Sequence, residues 1–209
     1  MVDNFERIKG YLRQKGLPEK YDRQNIPDLY FTVEIVRRAK DHKEMGSSNY
    51  HFKNYYVTSI EGLDKIKDEV ITICETFGMR AYISVNRKSF RAVTMNTIAE
   101  LATLASKNDY RKPYSVYESC SGKYVERSDK TWIVDIDDDQ IDNLGFFKYW
   151  LNELRPDHDT IICELPTNSG IHLLTKPFNR EKFNNECQVA GINTPDIKLN
   201  HLTALYANI

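Results

Sequence analysis

Hydrophobic positions along the chain recur at two periods, and the switches between them mark out the elements. Phe5, Ile8, Tyr11 and Leu12 are spaced as on one face of a helix over 4–15, and Gly16 follows as a stop signal. Phe31 to Val36 alternates Phe, Val and Ile against Thr and Glu, and Lys53 to Ser59 is a second strand pattern. The polar stretch Asp41 to Asn49 joins them as a long hairpin. Ile60, Leu63, Ile66, Val70, Ile71 and Cys74 return to a helical spacing over 59–77, closed by Gly78. Ala81 to Val85 reads as a strand and Thr94 to Ser106 as a helix. The first half is thus β-β-α-β-α, and its βαβ unit predicts at least one parallel pairing.

The second half alternates more sharply. Thr131 to Asp135 is a short buried strand, and Ile141 to Leu154 is a helix carrying Phe146, Phe147, Trp150 and Leu151. Thr160 to Glu164 and Ile171 to Thr175 are strands around a turn at Pro166 to Gly170. A helix at Arg180 to Ala190 and a last strand at Leu202 to Ala207 complete β-α-β-β-α-β, the split βαβ order of ferredoxin-like and RNA-recognition-like sheets. The fold expected is α+β, an α/β module over residues 1–130 packed on an RNA-recognition-like half over 131–209, the two forming one domain.

Composition narrows the class. Aromatic residues make up 11% of the 209, too many for a solvated, disordered chain. No run approaches the roughly 18 apolar residues of a membrane span, and the charged start MVDNFERIKGYLRQ lacks the apolar stretch of a signal peptide. A soluble cytoplasmic protein with no membrane partner is expected. Cys74, Cys120, Cys163 and Cys187 form neither a CxxC nor a Cys/His pair, so reduced cysteines are expected rather than zinc or disulfides.

The densest chemical signal is Trp132-Ile-Val-Asp135-Ile-Asp137-Asp138-Asp139. On a strand, Asp135 and Asp137 point to one face. Two ionised carboxylates so placed repel unless a cation lies between them, and hard oxygen ligands select Mg²⁺ or Mn²⁺ over zinc. Such a DxD serves phosphatases of the haloacid-dehalogenase type, some glycosyltransferases and two-metal polymerases. Downstream, Ser169-Gly170-Ile-His172 places a turn and a histidine at a strand start, with Lys176 one strand length further on. Backbone N–H groups, hydroxyl, imidazole and ammonium together suit a triphosphate. A third carboxylate, Asp196, follows a proline in PDIKLNH, with Asn200 and His201 as alternative inward-facing groups.

These three motifs, Ile133 to Asp137, Ser169 to His172 and Asp196, followed by a T-x-L-Y strand, resemble the catalytic core of the archaeo-eukaryotic primase, or primase-polymerase, superfamily. LPTNSGIHLLTKPF is most similar to small members from phages and mobile elements, and the likeness spans about Thr131 to Tyr206. The resemblance implies a DNA-dependent nucleotidyltransferase that extends or starts a primer. Asp135, Asp137 and Asp196 would bind Mg²⁺ or Mn²⁺, with Asp135, Asp137 and His172 as catalytic residues. Ser169, Gly170, His172 and Lys176 would hold the nucleotide. Arg80, Arg87, Lys88 and Arg91 of the first half would face nucleotide or template. Its partners would be a DNA template and primer, nucleoside triphosphates, and a replicative helicase or other replication protein. The alternatives are an inactive RNA-recognition-like binding module, which would offer aromatics to stack bases, and a phosphatase with Asp135 as nucleophile, which lacks a later acidic pair.

The formal charge of −1 hides an asymmetry. Residues 1–130 carry 23 Lys and Arg against 18 Asp and Glu, whereas residues 131–209 carry 6 against 12. An acidic, metal-neutralised half beside a basic half is compatible with nucleic acid as a partner.

Overall fold

The alternation at 31–36 belongs to a longer strand, β2 (Leu29–Arg37), from which the first sheet is built. It is an inner strand of an antiparallel sheet in a computed structural model that describes residues 1–22, 24, 28–42, 48–110, 113–123 and 129–208. On one side β2 pairs with β3 (Tyr50–Val57), and on the other with β4 (Arg80–Ser84) and the short β5 (Lys88–Ser89). The sheet continues through β10 (Leu202–Ala207) to β1 (Val2–Asp3), in the order β1-β10-β4-β2-β3. Of the Asp41 to Asn49 connection, residues 43–47 lie outside the described residues.

Helices α1 (Phe5–Gln14) and α2 (Ile60–Phe77) pack on one face of this sheet. Ser59 caps α2 by accepting the Gly62 N–H at 3.0 Å, and Gly78 ends it in the left-handed conformation that favours glycine. Helix α3 (Phe90–Ser106) starts four residues before the expected Thr94. The Ser89 hydroxyl accepts the Ala92 N–H, and the Asp28 carboxylate accepts that of Arg91. Helix α4 (Val116–Lys123) has weak periodicity and no sequence reading anticipated it.

The second sheet contains β6 (Trp132–Asp137), β7 (Ile161–Thr167), β8 (Gly170–Thr175) and β9 (Asp196–Lys198), in the order β7-β8-β6-β9. Val134 and Ile136 of β6 face α5 (Leu144–Glu153) and α6 (Arg180–Val189), in a core completed by Phe147, Leu151, Leu173 and Phe183. Ile133, on the other face, joins Leu165 and Leu174 in the core that α1 and α2 share with the first sheet. The core under α1 and α2 is therefore shared by both sheets, while the core under α5 and α6 belongs to the second sheet alone.

Two expectations are corrected. No strand pair among the described residues is parallel. The β3-α2-β4 crossover does bring β4 back in the direction of β3, but β2 lies between them and is antiparallel to both. The segment Leu202 to Ala207 is not the fourth strand of the second sheet. That place belongs to the three-residue β9, and β10 crosses back between β1 and β4 of the first sheet.

Asn4 fastens this crossing. Its buried Nδ2 donates to Ala204 O and to Pro166 O, both at 2.9 Å, and its N–H donates to Leu205 O, also at 2.9 Å. It thereby ties α1, β7 and β10 together. Asn4→Ala leaves one buried and one partly buried carbonyl without their donor and is expected to destabilise the fold by about 2 kcal/mol. Denaturant unfolding measures this, and an unchanged midpoint would show that the side chain does not couple the sheets.

Candidate active site

Strand register converges the chemistry. Asp135 on β6 lies directly opposite His172 on β8 and Asp196 on β9, so all three side chains belong to one face. His172 Nε2 is 3.0 Å from Asp135 Oδ1, and Lys198 Nζ donates to Asp135 Oδ2. His172 Nδ1 is 2.9 Å from the hydroxyl of Thr203, a fully buried residue of β10. An ionised carboxylate can only accept, so the proton lies on Nε2, and Thr203 fixes the ring from the other sheet. The Asp135 side chain is only 18% exposed. Burial by itself would raise its carboxyl, but the hydrogen bonds from His172 and Lys198 outweigh burial and hold it far below the usual carboxylate range.

Asp137 ends β6 and caps the 3₁₀ turn Asp138–Asn143 in a capping box with Gln140. Asp135, Asp137, Ser169, His172 and Lys198 line a cleft of about 350 Å³. Arg38, Lys40, Arg80 and Tyr82 of the first sheet line it too. Arg80 is held by a bidentate pair with Asp41, at 2.5 and 2.7 Å, and Arg38 donates to the Tyr82 hydroxyl at 3.3 Å. Partial burial, then the charges of Arg38 and Arg80, push the Lys40 ammonium down, while Asp41 and Asp137 pull it back up. Carboxylates and cations thus share one cleft between the sheets.

The turn of the S-G-x-H motif is a two-residue hairpin loop, Asn168-Ser169. Gly170 begins β8 at φ +139°, and a Cβ there would stand 2.0 Å from Ile136 O and 2.9 Å from Asp137 Cα. Only glycine lets β8 approach β6 closely enough to set His172 against Asp135. The Ser169 backbone is not free: its N–H donates to Thr167 Oγ1 at 3.3 Å and its carbonyl accepts the Asp138 N–H at 3.1 Å.

Other expected residues lie elsewhere. Lys176 sits beyond the far end of β8, paired with Asp159 at 2.7 Å and Asp157 at 3.6 Å. Arg87 donates to Lys15 O at 3.0 Å and pairs with Asp129 at 3.5 Å, bracing the end of α1. Lys88 is buried and donates to Thr32 Oγ1 at 3.0 Å, and burial pushes its ammonium down. Arg91 is exposed at the start of α3. Of the four basic residues expected to face nucleotide or template, Arg80 alone lines the cleft. Asn200 turns to Gly122 O at 3.2 Å, whereas His201 lines the cleft. Asp196 is 70% exposed, with its Oδ2 3.9 Å from Lys198 Nζ. Lys198 was overlooked as a site residue, although its place two positions after Asp196 puts both on one strand face. Arg38 and Lys40 carry no sequence signal beyond charge.

Among the described residues no three His, Cys, Asp or Glu side chains converge as a ready metal-binding set. Comparison with protein families, with curated proteins and with solved structures finds no match to this chain.

Gly170→Ala combines a strained φ with contacts inside van der Waals range, and should cost about 2–4 kcal/mol in unfolding experiments while displacing His172. A wild-type unfolding midpoint would show that the hairpin absorbs the methyl. The Asp135 carboxyl has a lower pKa folded than unfolded, where it is about 3.9. Its contribution is therefore complete above about pH 5 and is lost as pH falls through the unfolded value toward the folded one. The stability gap between wild type and Asp135→Asn should narrow between pH 5 and pH 3; a gap constant with pH would mean that the ion pairs contribute nothing.

Proposed function

We propose that the chain is a DNA-dependent nucleotidyltransferase of the primase-polymerase type, adding nucleotides to a primer or starting one. The observation that carries the reading is the intersheet cleft. One wall presents an in-register Asp135–His172 pair with Asp137 and Ser169, and the other presents Arg38, Lys40 and Arg80. The β6-α5-β7-β8-α6-β9 connectivity, with the fourth strand beside the first, supports an RNA-recognition-like arrangement for this half.

The donor set suits a hard divalent cation. Asp135 is held ionised, Asp137 and Asp196 belong to the same strand face, and an ammonium already stands between Asp135 and Asp196 as a stand-in cation. Mg²⁺ or Mn²⁺ held by Asp135 and Asp137, with Asp196 beside them, would supply Lewis-acid activation of a primer hydroxyl and charge neutralisation at phosphate. The protein's own part is orientation and charge. His172, fixed by Thr203, presents an N–H at the carboxylate wall, and Arg38, Lys40 and Arg80 neutralise a polyphosphate lying across the cleft. In the overall reaction the 3′-hydroxyl gives up its proton to solvent, its oxygen bonds to the α-phosphorus, the bond to the bridging oxygen breaks, and pyrophosphate departs.

The competing readings fit less well. A phosphatase of the haloacid-dehalogenase type needs a later Gly-Asp-x-x-x-Asp acidic pair, and none follows Asp139. A base-stacking module needs aromatics on the open sheet face, where Asp135, Asp137, His172, Asp196 and Lys198 reside instead.

Asp135→Asn is expected to lower Mn²⁺-dependent extension of a primed DNA template by at least about a thousandfold while the far-ultraviolet circular dichroism is retained. Extension at the wild-type rate would remove Asp135 from the chemistry.

A further inference from the structure

Lys198 lines the cleft but has no part in the proposed chemistry. On β9 it lies opposite Ile133, two positions along the strand from Asp196 and on the same face. Its side chain reaches along β6 to the Oδ2 of Asp135 and stands 3.9 Å from the Oδ2 of Asp196. It is 27% exposed, so the ammonium has a route to solvent.

Asp135 and Asp196 are directly opposite on neighbouring strands, where like charges destabilise the pair unless a cation intervenes. The ammonium meets that requirement. One oxygen of Asp135 is taken by His172 and the other by Lys198. A divalent cation at Asp135 would stand a few ångströms from the ammonium, and the two like charges repel.

We propose that Lys198 is the resident counter-ion of this site and an internal competitor of the divalent metal, so that metal binding at Asp135 releases the Lys198 ammonium into the cleft. The inference rests on the reading of Asp135 as a metal ligand. Lysine suits the role because it is a compact point charge on a flexible stem, able to leave without breaking a planar two-point contact. With Lys198 in place, Asp135 and Asp196 present one net negative charge; without it they present two, and affinity for a hard cation rises with the charge of its ligands.

The test is titration calorimetry with Mn²⁺ alone on four proteins, each first confirmed to be folded by circular dichroism. Lys198→Met should bind Mn²⁺ at least about tenfold tighter than wild type, about 1.4 kcal/mol. Lys198→Arg should stay near wild type, and Asp135→Asn should bind at least about tenfold more weakly. Should Lys198→Met fail to fold, Lys198→Gln carries the same expectation. Equal or weaker binding by the neutral variant, with Asp135→Asn still impaired, overturns the competitor role and leaves the metal reading standing. Unaltered binding by Asp135→Asn overturns both.

Discussion

A carboxylate brought into the seam between two sheets must be matched by positive charge, and the surroundings of Asp135 follow from that requirement. Three different strands answer it. β8 supplies the His172 imidazole and β9 the Lys198 ammonium, while Thr203 of β10 holds the imidazole from the opposite sheet. Two donors outweigh a desolvation that alone would raise the carboxyl, so the acid is held ionised. The same contacts bind the sheets to each other at the cleft, making charge compensation and sheet docking one interaction.

The apolar architecture explains why the seam is open at one end. Ile133 and Leu174 are fully buried in the shared core, whereas Asp135 and His172, two residues further along each strand in opposite directions, emerge at its margin. Polarity switches along a single strand face from core to site without any change in backbone course. The other face, Val134 and Ile136 against Phe147 and Phe183, stays apolar and keeps the strand from rotating. A hydrophobic anchor on one side and a polar edge on the other give the site rigid positioning at the boundary with solvent.

Much of this was legible in the sequence because it is local. Period-two alternation placed Asp135 and Asp137 on one face, and a glycine beside a serine marked the hairpin that delivers His172. What escaped was non-local or faceless. Nothing in Leu202 to Ala207 announces that it pairs with residues 80–84 and 2–3 rather than with the adjacent half, because strand order is decided by tertiary fit. Arg87 and Lys88 are neighbours of a strand, yet one braces α1 and the other is buried under β2. Charge alone does not say which side of a sheet a cation serves. Lys198 lay in plain view two residues from Asp196, but reading the carboxylates as metal ligands left no role for a lysine between them.

The placement of β10 reaches beyond geometry into the order of events during synthesis. An inner strand of the first sheet is contributed by residues about two hundred positions after the outer strand it pairs with. While the ribosome is still making residues 1–200, β1 and β4 have an unfilled gap between them, and Thr203 is not yet there to orient His172. The sheet and the site thus become complete in the same late step, so a nascent chain stalled before residue 202 would have exposed strand edges and an unassembled cleft.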